Sequence, residues 1–151
     1  MRTLLRTGEL LVEYGHGAEG TVQGTVAAGF PSPAEQYLEP PLDLNELLVK
    51  RPAATFFVRV QGDSMIGAGI HDGDLLVVDR ALEPSDGDVV VAAVDNEFTV
   101  KRLRLGTVRR NGRDVRRVAL EAENPAYPTI VLGGLSELRL FGKVTAVIHR
   151  L

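Results

Sequence analysis

Cysteine and tryptophan are both absent from the 151 residues, and histidine occurs three times. Without cysteine the chain has no disulfide, no thiol nucleophile and no thiolate metal ligand, and it is compatible with a reducing compartment. The histidines, His16, His71 and His149, are scattered, and none has a carboxylate or a second histidine at a recognisable spacing. The sequence therefore predicts no metal site and no cofactor, and it limits the search for a nucleophile to Ser, Thr and Lys.

Neither sign of charge dominates, and no long apolar run is present near the N-terminus. The formal net charge of -3 gives no overall attraction to nucleic acid or to an anionic membrane. Arg6, Glu9 and Glu13 interrupt the apolar residues at the start of the chain, which therefore lacks the pattern of a signal peptide or a membrane span. We expect a soluble, cytoplasmic protein with no membrane contact and no direct sequence-specific DNA binding.

The length suits one compact domain with an additional arm. Glycine stands at 15, 17, 20, 24 and 29, and proline at 31, 33, 40 and 41, with little sustained helical or strand periodicity. This pattern predicts an extended N-terminal arm over residues 1–41. Residues 42–151 are then predicted to form the folded domain.

The predicted domain is mainly β, with short strands and one short helix. Asp43 is placed to cap a helix over residues 42–50, with Glu46 three positions on and Pro52 beyond its end. β-rich runs follow, separated by turn residues. They are Thr55–Val60, Leu75–Asp79, Val89–Val94, Phe98–Leu103, Val115–Glu121 and Leu138–Ile148.

Three connections in this region suit hairpins. Asn111-Gly112 is the strongest signal, because both residues tolerate the positive φ of a type I′ turn. Asp95-Asn96 and residues 83–87 are the other two predicted turns. The hairpin at Asn111-Gly112 contains most of a charge-dense stretch over residues 101–117, which holds eight basic residues. This stretch is either a solvated face or a basic docking patch.

Ser64 is the best-placed candidate nucleophile. It follows Gly62-Asp63 at the end of a predicted strand, where glycine lets the backbone bend beside the hydroxyl. The backbone N–H groups of Asp63 and Ser64 are candidates for an oxyanion hole. A serine in this context is also a common turn residue that bonds its own backbone.

Lys101 is the candidate general base. It shares a predicted strand face with Thr99 and Leu103, and burial without a counter-charge lowers the pKa of a lysine, so that a neutral amine can accept the serine proton. The alternative is a side chain that extends its ammonium group into water. Arg102 cannot act as the base, because it is permanently charged.

Four motifs in order resemble the LexA-like self-cleaving serine peptidases, the S24 family, and within it the UmuD-type accessory subunits of error-prone translesion polymerases. They are Ala27-Ala28-Gly29-Phe30-Pro31-Ser32-Pro33, Gly62-Asp63-Ser64-Met65, Gly69-Ile70 with Asp72-Gly73-Asp74-Leu75-Leu76, and Phe98-Thr99-Val100-Lys101-Arg102-Leu103. The resemblance covers the chain from about residue 26 to its end. It departs from the family at Gly67-Ala68, where an acidic residue and glycine are expected, and in the longer hairpin at Asn111-Gly112.

The resemblance implies a LexA/signal-peptidase-like β peptidase domain that cuts itself between Ala28 and Gly29. Ser64 would attack, Lys101 would be the neutral base, and a RecA filament on single-stranded DNA would stimulate the cut in the SOS response. The product would act as a homodimer with a UmuC-type translesion polymerase. Only 28 residues precede the cut, which is too short for the helix-turn-helix domain of a LexA-type repressor.

Two other functions remain open at this point. One is a docking module of the same fold that never cuts, because fold does not guarantee activity. The other is a peptidase that acts on other proteins, against which the internal Ala28-Gly29 site argues.

Overall fold

The computed structural model describes residues 41–133 and 137–151 in full, together with the backbone of residues 3–6, 21–22 and 38–39. Its elements in chain order are β1 (Thr3–Arg6), β2 (Thr21–Val22), β3 (Leu38–Glu39), α1 (Leu44–Leu48), β4 (Thr55–Arg59), β5 (Leu75–Asp79), β6 (Val89–Val94), β7 (Glu97–Arg110), β8 (Arg113–Glu121), β9 (Ile130–Val131) and β10 (Leu138–Ile148). Single turns of 3-10 helix lie at Pro52–Ala54 and Ile66–Ala68.

One large antiparallel sheet dominates the described structure. It has eight strands in the order β1-β4-β5-β10-β6-β7-β8-β9, and β2 pairs separately with β3. Every pair of neighbours in the large sheet is antiparallel. The prediction of a mainly β fold with one short helix is confirmed.

Most strand predictions agree with the structure. The predicted bounds of β5, β6 and β10 coincide with the observed ones, whereas β7 runs on to Arg110 because it forms a long hairpin with β8. Both predicted two-residue turns have positive φ at both positions, at Asp95 and Asn96 (48° and 68°) and at Asn111 and Gly112 (50° and 74°). These are the angles of type I′ turns, whose twist matches that of the flanking strands.

The hairpin predicted at residues 83–87 is wrong. That segment does connect β5 to β6, but β10 lies between them and pairs with both. Val144 of β10 faces Val78 of β5, and Gly142 faces Val91 of β6. Both strands are antiparallel to β10 and therefore run parallel to each other, so residues 83–87 belong to a crossover connection and not to a hairpin turn. The local turn sequence carries no information about a strand inserted from elsewhere in the chain.

β9 and β1 were not predicted from the sequence. β9 has two residues, too few for an alternating pattern to be read. β1 pairs Thr3–Arg6 with Arg59–Phe56 of β4. Most of the proposed arm, including Ala28 and Gly29, lies outside the described residues, so the boundary at residue 41 and the cleavage site stay predictions.

The helix α1 begins where the sequence predicts a cap. The Asp43 carboxylate accepts a hydrogen bond from the backbone N–H of Asn45 at 2.9 Å, which satisfies one of the unpaired donors of the first turn. α1 has five residues. The described part of the chain contains no helix with the length and hydrophobicity of a membrane span.

The core lies on both faces of the sheet. Consecutive residues of the central strands, such as Val90, Val91 and Ala92, are fully buried, which a sheet covered on one face does not allow. One face holds a cluster formed by residues of β4, β5, β6 and β7, such as Val58, together with Met65 from the segment between β4 and β5. Another cluster contains Leu103 and Leu120 of the β7–β8 pair. The first cluster anchors the segment that carries Ser64.

Gly142 sits where β10 changes register against β6, in close contact with β5. A Cβ atom there would lie 2.8 Å from the backbone oxygen of Asp79 and from Cγ1 of Val78. Gly142→Ala is therefore expected to lower the free energy of unfolding by about 2 kcal/mol, the typical cost of overpacking. Gly106→Ala on β7, where nothing lies within 4 Å of the added Cβ, is the matched control. Equal urea midpoints for the two variants would contradict this expectation.

Candidate active site

Ser64 lies in the segment between β4 and β5 that turns back on itself. Gly62, two residues before Ser64, has φ +97°, and its N–H donates to the Asp72 carboxylate at 2.7 Å. The next residue, Met65, is 2% exposed and belongs to the core cluster. The segment is thus fixed on both sides of Ser64, which itself is partly exposed.

Lys101 reaches Ser64 from β7. Its Nζ donates to Ser64 Oγ at 2.9 Å, to Thr99 Oγ1 at 2.7 Å and to the Val100 backbone oxygen at 3.1 Å. The residue is only 8% exposed. This burial disagrees with the alternative interpretation, in which the ammonium group extends into water. The structure thus brings together the two residues that the sequence singled out, which stand 37 positions apart.

In the described part of the chain, no opposite charge compensates the burial of Lys101. Among residues 41–133 and 137–151 its amine forms no ion pair, and its three acceptors are all neutral oxygens. Burial lowers the pKa of Lys101 below the ordinary 10.5, because desolvation disfavours the charged form. The site therefore favours a neutral amine more than the surface of the protein does.

Loss of one proton from Lys101 would change the chemistry of the pair. An ammonium group has three N–H donors and no lone pair, so it can only donate to Ser64 Oγ. A neutral amine has a lone pair, and at 2.9 Å it can accept the hydroxyl proton of Ser64 instead. A hydroxyl hydrogen-bonded to a neutral amine is the geometry that nucleophilic catalysis by a serine requires.

The backbone N–H groups of Asp63 and Ser64 were proposed from the sequence to form an oxyanion hole. No acceptor within the described part of the chain takes a hydrogen bond from the backbone N–H of Asp63 or Ser64. A small cleft lies beside Ser64. The cleft is lined by Val60, Gln61, Gly62, Ser64, Met65, Thr99 and Val100.

The connection between β8 and β9 supports the Ser64 segment, a feature that sequence reasoning missed. Asn124 Nδ2 donates to the Asp63 backbone oxygen at 2.9 Å, and the Tyr127 hydroxyl donates to the Asp63 carboxylate at 2.5 Å. The contacts span 61 and 64 positions in sequence. Asn-Pro-Ala-Tyr is an ordinary turn sequence, and nothing local indicates that it lies beside a serine so far away.

Gly67, one of the departures from the family pattern, has a structural reason in this chain. Its N–H donates to the Glu123 backbone oxygen at 2.8 Å. A Cβ at this position would lie 2.7 Å from the same oxygen. The acidic residue expected there would therefore require the β8–β9 connection to move. The close approach of the Glu123 backbone is possible because position 67 is glycine.

Two of the histidines have a carboxylate partner in the fold, Asp74, that spacing along the sequence does not reveal. Asp74 is 2% exposed, and its carboxylate lies 2.5 Å from His149 Nδ1 and 3.7 Å from His71 Nδ1. His71 and Asp74 close a turn, with a hydrogen bond from the Asp74 N–H to the His71 backbone oxygen. His149 could not be recognised as a partner of Asp74 from the sequence, because the two residues stand 75 positions apart.

The basic stretch over residues 101–117 is divided between two environments. Lys101 is buried in the site, while Arg102 and Arg104 pair with Glu123 and Glu121. Toward the tip of the hairpin the side chains are exposed on both strands, and Arg109 lies 3.7 Å from Asp114. A solvated face accounts for this arrangement, and the docking alternative stays a prediction.

Comparison with known proteins places this geometry in a family. The model of the family described as Peptidase S24-like matches residues 21–145, which includes both Ser64 and Lys101. The chain belongs to the S24-like peptidase family. Membership supports a serine peptidase at the level of the family, and the LexA-like fold expected from the resemblance is confirmed.

Curated relatives narrow the assignment within the S24-like family. The chain is 54% identical to Protein SamA of Salmonella typhimurium over 123 residues, which cover 82% of this chain and 79% of SamA. It is 50% identical to Protein ImpA of Escherichia coli over 125 residues, covering 82% and 78% of the two chains. These are UmuD-like proteins, so the resemblance drawn from the sequence is confirmed. LexA repressor 1 of Nocardia farcinica is 44% identical over 130 residues, covering 86% of this chain and 55% of the repressor.

Proposed function

We propose that this S24-like chain is a self-cleaving peptidase of the UmuD type, which cuts once, between Ala28 and Gly29. The observation that carries the proposal is the 2.9 Å contact between Ser64 Oγ and the buried, uncompensated amine of Lys101. A serine hydroxyl is a weak nucleophile without an adjacent base, and this contact supplies one.

The proposed reaction uses the Ser64 hydroxyl, the Lys101 amine and two backbone N–H groups. Ser64 Oγ attacks the carbonyl carbon of Ala28 while Lys101 takes the hydroxyl proton, and the N–H groups of Asp63 and Ser64 bind the oxyanion. The C–N bond to Gly29 then breaks, and Lys101 gives its proton to the departing amine. Water, deprotonated by Lys101, hydrolyses the ester that joins Ala28 to Ser64 and regenerates the free serine.

The sequence around the proposed cut suits such a substrate. Val26, Ala27 and Ala28 are small or β-branched, which favours an extended segment in a narrow cleft. Gly29 has no Cβ and permits close approach of the backbone to the nucleophile. The segment that precedes the domain is then its own substrate.

Regulation and partners extend the proposal. Cleavage is slow while the substrate segment is outside the cleft or Lys101 is charged, and a partner accelerates it by raising the population of the competent state. By the UmuD-type relationship that partner is a RecA filament on single-stranded DNA in the SOS response. The product, residues 29–151, serves as a homodimer with a UmuC-type polymerase in error-prone translesion synthesis.

Intact-mass spectrometry tests the cut directly. Purified protein incubated at mildly alkaline pH is expected to yield two products, residues 1–28 and 29–151, in equal amounts. Addition of RecA, ATP and single-stranded DNA should increase the rate, whereas RecA without DNA should not. A stable intact mass under all these conditions would favour the non-cutting docking module, and a cut at another bond would overturn the assignment of Ala28 and Gly29.

A further inference from the structure

Two histidines and an aspartate from distant parts of the chain meet outside the peptidase site. His71 and Asp74 lie in the turn before β5, and His149 follows the last residue of β10. One side-chain ligand atom from each lies within 4.8 Å of the others. The two imidazole ring centres are 5.1 Å apart.

The Asp74 carboxylate is held in place before any ligand arrives. It is 2% exposed, and its Oδ2 accepts a hydrogen bond from the His71 backbone N–H at 2.7 Å. The Asp74 backbone oxygen accepts from the Val60 N–H at 2.8 Å, which fixes the main chain as well. Each carboxylate oxygen faces one imidazole, with Oδ1 toward His149 and Oδ2 toward His71.

The two histidines complement this fixed carboxylate. Their side chains are 52% and 46% exposed, so the rings can adjust and an ion can enter from solvent. Two imidazole nitrogens and one carboxylate form a donor set typical of zinc, whereas magnesium and calcium prefer oxygen ligands alone. A water molecule would complete a tetrahedron.

We propose that His71 Nδ1, the Asp74 carboxylate and His149 Nδ1 bind one Zn²⁺ ion or a similar divalent transition-metal ion. Two ligands of a tetrahedral zinc ion lie about 3.3 Å apart when each bond is about 2.0 Å. His71 Nδ1 stands 3.7 Å from Asp74 Oδ2 and His149 Nδ1 stands 2.5 Å from Oδ1, so both imidazoles would have to shift for one carboxylate oxygen to bind the ion together with them.

An ion at this position would join two parts of the fold. The segment between β4 and β5 carries His71, Asp74 and also Ser64, whereas His149 belongs to the end of the chain. The metal would fasten the Ser64 segment to the C-terminal end of β10. Its role is to stabilise this junction, since the proposed cleavage chemistry uses Ser64 and Lys101 without a metal.

Calorimetric titration of untagged, EDTA-treated protein with ZnCl₂ tests the site. We expect one ion per chain and an increase in Tm on zinc addition, because an ion that binds only the folded state stabilises it. His71→Ala and His149→Ala should each raise the Kd by about tenfold or more, since even second-shell changes at metal sites cost about that much. His16→Ala, which alters the third histidine of the chain, is the matched control and should leave the Kd unchanged.

Several results would overturn the proposal. Wild-type protein that shows neither saturable heat nor a change in Tm would mean that the cluster is a hydrogen-bonded pair only. Unchanged affinity in both the His71 and His149 variants, or loss of binding in His16→Ala, would place the ion elsewhere. One ion per two chains would indicate a site between molecules. Tm values in EDTA verify that the variants fold, which is expected because both rings are half exposed.

Discussion

Ser64→Ala is expected to abolish self-cleavage while leaving the domain folded. The Ser64 hydroxyl accepts the hydrogen bond from Lys101, and without it no acyl intermediate can form. Loss of a catalytic nucleophile typically costs a serine peptidase on the order of 10⁴ to 10⁶-fold in rate. Intact-mass spectrometry at mildly alkaline pH should therefore show only the uncut chain.

Ser85→Ala is the matched control for this experiment. Ser85 is exposed, and its described contacts are made by backbone groups, including the N–H that donates to Asp88. This variant should cleave at the wild-type rate. If Ser64→Ala released the same fragments as the wild type, another nucleophile or a contaminating peptidase would be responsible, and the proposed mechanism would be wrong.

Lys101→Arg is expected to remove self-cleavage almost as completely. A guanidinium stays charged at every accessible pH and cannot accept the Ser64 proton. General-base catalysis contributes about 10²- to 10⁴-fold, which sets the expected loss. Lys50→Arg, the same change at an exposed lysine, should cleave normally.

The pH profile of the wild type should report the same base. Burial lowers the pKa of Lys101 from 10.5, and only the neutral amine is active, so the cleavage rate should rise with pH and level off above the lowered pKa. Below that pKa the neutral fraction, and with it the rate, grows about tenfold per pH unit. A flat profile, or an active Lys101→Arg variant whose Tm equals that of the wild type, would refute the assignment of the base.

Local sequence information predicted most of the secondary structure. Alternating or continuous apolar runs identified β5, β6 and β10 with their observed bounds, and Asn111-Gly112 identified the β7–β8 turn because few residues accept positive φ. The error at residues 83–87 has a different origin. Strand order depends on which strands pair, and the insertion of β10 between β5 and β6 is a contact between distant parts of the chain.

Both members of the candidate catalytic pair were identifiable from residue type, context and family resemblance. Their separation of 2.9 Å, and the absence of an ion pair at Lys101 among the described residues, required the fold. The supporting contacts of Asn124 and Tyr127 with Asp63 were not identifiable at all. The sequence around Asn124 and Tyr127 does not indicate these contacts, because a hydrogen bond between residues more than 60 positions apart produces no periodic pattern.

The sequence by itself determined the class of fold, most strands of the domain, the family and the two residues proposed to do the chemistry. These properties depend on local backbone preferences and on motifs in a fixed order. The tertiary structure alone decided the strand order, the burial of Lys101 beside Ser64, and the meeting of His71, Asp74 and His149. The physical reason is that desolvation and side-chain contact depend on which distant segments pack together, and residue spacing along the chain does not report that.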